Sequence, residues 1–176
     1  MIKYVKVTTD STKKVRPVDF SLDGVIKYIG QSGTSGYASA AKGYLADYVL
    51  RNIPITWNPL CFDNSTNDKG YYVDALAESV INKSYSKYDR LIIHSTPDLW
   101  QSTVLQHKHI DDIVGYCAWE TSKLPDHWVK HINLVSQVWV PSLFNKQSFI
   151  DSGVNTEIKV VPHIWHPQKL IKKSML

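Results

Sequence analysis

The sequence predicts an α/β domain built on a mainly parallel, doubly wound sheet of about six or seven strands with helices on both faces. Three observations carry this. Short β-branched or apolar runs alternate with segments of helical period from about Leu22 onward, the pattern that crossover helices between parallel strands produce. The first helical segment holds an unbroken apolar stripe, which must pack on a sheet. The chain has 176 residues, enough for one well-buried domain and short for two.

Six strands are predicted, over residues 25–29, 53–57, 91–94, 113–118, 137–140 and 158–161. Between the first two, Tyr37, Ala40, Ala41, Tyr44, Leu45, Tyr48 and Val49 recur at helical spacing. A second helix is expected over residues 70–85 around Val73, Leu76, Ala77 and Val80, and a third from Pro97 through Val104. Pro125 suits a first helical turn because it has no N–H to leave unpaired. Ser142, directly before Leu143 and Phe144, is an N-cap, and Gly153 a C-cap for the helix that Ser142 opens.

Residues 1–21 fit the alternation poorly and are read as an N-terminal extension or edge strand, with Ile2 to Val7 as the strand and Asp10 to Lys14 as a polar turn. Residues 22–166 form the Rossmann-like domain; 167–176 are a tail or the start of an interdomain linker. Residues 61–69 concentrate Asp, Asn, Ser and Thr, a long polar loop that is either a solvated connection or a binding loop.

Composition narrows the function. Hydrophobic residues make up 43% and charged residues 20%, which excludes disordered, collagen-like and coiled-coil chains. Six Trp and ten Tyr are generous for this length and favour a binding surface, since both rings combine apolar area with a polar edge. The net charge of +4 attracts anionic ligands, yet no basic run marks a nucleic-acid stripe. Cys61 and Cys117 lie far apart and read as reduced thiols. With no run of about 20 apolar residues and no signal-peptide core at the N-terminus, the expectation is a cytoplasmic protein whose membrane contact is at most peripheral.

Candidate site residues cluster where strands end, because ligands of open α/β sheets sit outside the carboxyl ends of the strands. The first strand runs into Gly30-Gln31-Ser32-Gly33-Thr34-Ser35-Gly36 before the first helix. Glycines allow close backbone approach, and a helix N-terminus presents unpaired N–H groups to phosphate; the spacing is neither the dinucleotide fingerprint nor a Walker loop. The third strand delivers His94, which either bonds a hydroxylated or phosphorylated ligand or closes the strand on backbone. Glu120 follows the apolar run 113–119 and should emerge at the ligand face. There it accepts hydroxyl hydrogen bonds or acts as a base; the competing reading has it cap the next helix or pair with Lys123. Neither His107-Lys108-His109 nor His163-Ile164-Trp165-His166 has metal-site spacing, so no metal is expected.

Taken together, Tyr116-Cys117-Ala118-Trp119-Glu120-Thr121-Ser122-Lys123-Leu124-Pro125, Val138-Trp139-Val140-Pro141-Ser142, Gly153 and Val160-Val161-Pro162-His163 resemble the N-terminal domain of GT-B glycosyltransferases of family 4. Ser35 to Tyr44 is similar to that family's glycine turn and first helix, with Lys42 where many members carry Arg. The resemblance covers residues 22–166 and implies metal-independent transfer of a sugar, with retention, from a nucleotide-diphosphate sugar to a glycan, lipid or protein acceptor. It implies no cofactor. By similarity, Gly33, Thr34, Ser35 and Gly36 face the donor diphosphate. Glu120 and His94 serve catalysis, and Tyr37, Trp119, Thr121, Ser142 and His163 bind acceptor.

In such enzymes the Val-Pro-His element leads into a second, donor-binding domain, of which residues 164–176 could hold only the beginning. A C-terminal donor-binding domain or a partner chain is therefore expected. Two other readings stand beside this one: a non-catalytic carbohydrate- or partner-binding module derived from a glycosyltransferase, and a nicotinamide-dependent oxidoreductase, which the absent glycine fingerprint disfavours.

Overall fold

The computed structural model of the protein describes residues 24–60, 75–81 and 83–164. The expected edge strand at 2–7, the turn at 10–14, the polar loop 61–69 and the tail 167–176 lie outside them. The described residues form a six-stranded, all-parallel sheet in the order β2-β1-β3-β4-β5-β6: β1 (Ile26–Gln31), β2 (Ile55–Leu60), β3 (Arg90–His94), β4 (Asp112–Tyr116), β5 (Gln137–Val140) and β6 (Glu157–Val160). The helices are α1 (Gly36–Leu50), α2 (Ala75–Glu78), α3 (Trp100–Gln106), α4 (Asp126–Ile132) and α5 (Leu143–Asp151), with a 3-10 turn at Pro97–Leu99 before α3. This is the doubly wound arrangement expected of a Rossmann-like domain.

Alternation along the strands divides the core in two. Tyr28, Ile92, Val114, Tyr116 and Trp139 pack with Ala41, Tyr44, Leu45 and Tyr48 of α1 and Ala77 of α2 on one face. Ile29, Leu91, Ile93, Ile113 and Val138 pack with Trp100, Trp128, Ile132 and Phe149 of α3, α4 and α5 on the other. Successive strand residues point to opposite faces, so runs apolar at every position require helices on both sides.

Each expected strand is present, the fifth with the expected ends and the others with shifted ones. The second was expected over 53–57 and instead begins at Ile55. Asn52 turns the chain with φ 58°, and Pro54 supplies only its carbonyl, accepting the Ile26 N–H at 2.9 Å. Pro59 is tolerated late in β2 because this strand lies at the end of the sheet order. The second helix corrects the expectation more sharply. Among the described residues it spans Ala75–Glu78 and does not reach 85, because the Val80 carbonyl accepts the Trp57 N–H at 2.8 Å and Ile81 bridges to Trp57. Pairing with β2 outcompetes continued helix.

The caps follow local chemistry. Pro125 sits one residue before α4 rather than inside its first turn. The Ser142 hydroxyl accepts the Asn145 N–H at 3.1 Å and opens α5; Gly153, with φ 90°, follows the helix in a conformation that L side chains avoid. Ser142→Ala is expected to cost about 1 kcal/mol, read as a lowered urea midpoint with an unchanged slope.

Candidate functional site

The chain turns to opposite sides of the sheet after β1 and β3, so the crevice of the fold opens between the carboxyl ends of these two strands. A cleft of about 240 Å³ lies on this carboxyl side of the sheet, lined by Tyr37 of α1, Thr96 after β3, Ala118, Trp119, Glu120 and Thr121 after β4, and Trp128 of α4. Four residues expected at the site from sequence, Tyr37, Trp119, Glu120 and Thr121, come together in it. Thr96 and Trp128 were missed. Thr96 carried a usable signal, two positions beyond the end of β3; Trp128, on α4, resembled any other core aromatic.

The walls are held by backbone-directed hydrogen bonds. Tyr37, at the start of α1, donates its hydroxyl to the Ala118 carbonyl at 2.9 Å and accepts the Ala118 N–H at 3.1 Å, with the Cys117 sulfur 3.3 Å away. Burial, and then the neighbouring Cys117, raise the Tyr37 pKa, so it remains a neutral phenol. Burial likewise pushes the Cys117 thiol up to about 12, which makes it an inert packing residue.

Residues 119–124, which carry Glu120, form a braced loop. The Trp119 indole N–H and the Thr121 hydroxyl both donate to the Lys123 carbonyl, at 2.8 and 3.1 Å. From α5, the Asn145 side-chain amide donates to the Trp119 carbonyl, while Ser152, just past the helix, accepts the Leu124 N–H at 2.9 Å. The loop is thus gripped at both ends. Glu120 itself is exposed and neither caps α4 nor pairs with Lys123, whose ammonium lies 3.2 Å from Asp126. Among the described residues the Glu120 carboxylate and the Thr96 hydroxyl have no hydrogen-bond partner, so both are available to a ligand.

His94 does not line the cleft. It is 1% exposed and lies among Tyr28, Tyr37, Tyr44 and Tyr116, with Nδ1 2.5 Å from the Tyr28 hydroxyl. Burial, and then the nearby His163, hold its pKa down to about 3, so the ring is neutral at any physiological pH. Tyr44 and Tyr116 donate to the carbonyls of Pro162 and Val161 at 2.6 and 3.0 Å, tying the exit of β6 to this cluster. His163 is exposed beside Tyr116, with ring centroids 5.7 Å apart.

A neutral buried histidine gives the fold a pH dependence. Unfolded, His94 regains a pKa near about 6.5, so between there and its folded value the unfolded chain binds the extra proton. Stability therefore holds above that upper value and falls as pH drops through the window, by up to about 1.4 kcal/mol per unit. Urea midpoints measured from pH 7 to pH 4 are expected to decline, and His94→Gln, which retains a polar partner for Tyr28, to flatten that decline.

The glycine turn lies at the end of β1. Gly33 has φ 104°, and its carbonyl accepts from Lys42 Nζ at 2.9 Å. The Ser35 hydroxyl accepts the Ala38 N–H at 3.1 Å and donates to Gln31 Oε1 at 2.9 Å. Thr34 and Gly36 are exposed, and open space surrounds the Gly36 Cα. Gly33, Thr34, Ser35, Gly36, Ser142 and His163 do not line the cleft; Ser142 adjoins it through α5 and Asn145. Among the described residues no three His, Cys, Asp or Glu side chains group to hold a metal ion, and no helix is long and apolar enough to cross a membrane.

No family model and no curated protein matches this chain. Among solved structures it is similar to Anabaena Alr3699/HepE in complex with UDP-glucose, with a TM-score of 0.52 and 12% identity over 80% of this chain. The likeness is one of fold, and the chain spans 44% of the length of that structure.

Proposed function

We propose that this domain is the acceptor-binding half of a glycosyltransferase that moves a sugar from a nucleotide-diphosphate donor to an acceptor hydroxyl. One observation carries the reading: the cleft at the carboxyl ends of the strands brings a free carboxylate and a free hydroxyl among three aromatic rings. The fold it shares with a protein solved with UDP-glucose supports it, as does the ordered series of strand-end motifs. Glu120 orients the acceptor hydroxyl, with Tyr37, Trp119 and Thr121 around the acceptor. The N–H groups at Gly33, Thr34, Ser35 and Gly36, with the positive end of α1 behind them, meet the diphosphate as it leaves. His94 acts from beneath, as a positioning residue against the ring of Tyr37. Ser142 and His163 border the acceptor path.

Transfer proceeds with retention and without a metal, in the cytoplasm, with any membrane contact peripheral and no role for nucleic acid. It needs a C-terminal domain or partner chain to hold the nucleotide. A second reading, a carbohydrate- or partner-binding module without turnover, is favoured by one detail: Ser35 and Lys42 are both engaged within the glycine turn. The two part in one experiment. The domain, supplied with a donor-binding domain and UDP-glucose or another nucleotide sugar, is expected to form a glycosidic product. Sugar binding with no turnover for any donor would leave the module.

A further inference from the structure

The cleft has a charge character that the chain as a whole lacks. The protein carries a net charge of +4, but among the residues lining the cleft the single formal charge is the negative one of Glu120. Among the described residues, two basic groups flanking the cleft face acids: Lys123 lies 3.2 Å from Asp126, and His127 lies 3.0 Å from Asp98. Glu120 thus sets the local sign, while Lys42, whose ammonium donates to the Gly33 carbonyl at 2.9 Å, is not among the lining residues.

Size and lining add two constraints. A volume of about 240 Å³ falls below the roughly 300–1,000 Å³ of pockets that enclose larger ligands, and suits a single ring. Tyr37, Trp119 and Trp128 offer apolar ring surface. The hydroxyl of Tyr37 and the indole N–H of Trp119 are spent on the Ala118 and Lys123 carbonyls, so these residues contribute surface rather than donors. The free Glu120 carboxylate accepts only, and the Thr96 hydroxyl both donates and accepts. A ligand matching this set has an apolar face, several hydroxyl donors and no negative charge.

We infer that the cleft selects an uncharged pyranose ring and rejects its anionic counterpart, with Glu120 as the discriminating residue. This rests on the acceptor-site reading above and deepens it: a carboxylate or phosphate on the ring meets Glu120 as a like charge, whereas a hydroxyl at the same position donates to it. Two unit charges about 4 Å apart repel by about 1 kcal/mol even in fully aqueous surroundings, which corresponds to about five-fold in affinity.

The test compares methyl β-glucopyranoside with methyl β-glucopyranosiduronate, rings of nearly equal size that differ in charge. Each is titrated into the protein while the indole N–H resonances of its tryptophans are followed by NMR. The uncharged ring is expected to bind at least about five-fold more tightly. Glu120→Gln, at an exposed position that does not threaten folding, is expected to bring the two affinities within about two-fold of each other. Equal binding by the wild-type protein, tighter binding of the charged ring, no indole shift with either ring, or a gap that survives Glu120→Gln would each overturn the inference. Its failure is separable from that of the enzyme reading. Transfer to a uronate acceptor would sink the selectivity and keep the enzyme; selective ring binding without transfer by the assembled protein would do the reverse.

Discussion

Gly115→Val is expected to destabilise the domain by about 3 kcal/mol or more, the upper end of what overpacking a well-filled core costs. Gly115 lies in the middle of β4, and a Cβ built there would fall 2.2 Å from both Cη2 and Cζ3 of Trp100 and 2.8 Å from Cε3. The indole has no room to yield. Trp100 is 0% exposed, and its N–H donates to the Ser95 carbonyl at 3.2 Å, so displacement both opens voids and leaves a buried donor unpaired. Gly115→Ala should already cost a large part of this, because the first added carbon makes the clash. Gly36→Ala, where nothing lies within 4 Å of the added carbon, is the matched control and is expected to be neutral or slightly stabilising. Urea unfolding followed by tryptophan fluorescence decides: an unchanged midpoint for Gly115→Val would mean that Trp100 does not cover β4. Because Ser95 precedes Thr96, the same substitution should also disturb the cleft.

The second large effect concerns chemistry rather than stability. On the proposed function, Glu120→Ala in the domain supplied with a donor-binding domain is expected to lower the transfer rate by about 10²–10⁴-fold, the usual contribution of a positioned acid-base or orienting carboxylate. It should leave unfolding within about 0.5 kcal/mol of wild type, because the side chain is exposed and holds no partner among the described residues. Comparing kcat with KM sharpens the outcome. A loss confined to kcat marks a group that acts on the reacting hydroxyl, whereas a loss confined to KM reduces Glu120 to acceptor binding. Undiminished transfer would remove it from the mechanism. His94→Gln makes the contrast: acting through Tyr37, it should alter stability and its pH dependence more than it alters transfer.

The cap at Ser142 and the strand ends show how unevenly sequence encodes this site. Ser142 and Gly153 were legible because caps depend on chemistry within a few residues of the chain. Glu120 was legible as a strand-end polar group after an apolar run, and the cleft does place it free of the fold. His94 arose from the same argument, as the last residue of β3, where it pairs in register with Gly30 and Tyr116. Yet it is buried. Two things set them apart: Glu120 lies four residues beyond the end of β4, in a loop, whereas His94 is still within β3, and α1 and β1 bring tyrosines over His94 from as far as 66 residues away. The early end of α2 was hidden for a related reason, since pairing with Trp57 is a long-range gain that local helical propensity does not contain.

The sequence alone determined the doubly wound class, a mainly parallel sheet of about six or seven strands and the strand ends at which to seek a site, because alternating burial and crossover helices are written into the period of the apolar residues; that the six described strands are all parallel came from the structure. Only the tertiary structure decided which strand-end groups open onto the cleft. Exposure, pairing and charge depend on what packs across the sheet. Tyr37 therefore becomes a wall rather than a donor, His94 a neutral support beneath the site, Thr96 and Trp128 members of the cleft, and Glu120 its one free charge.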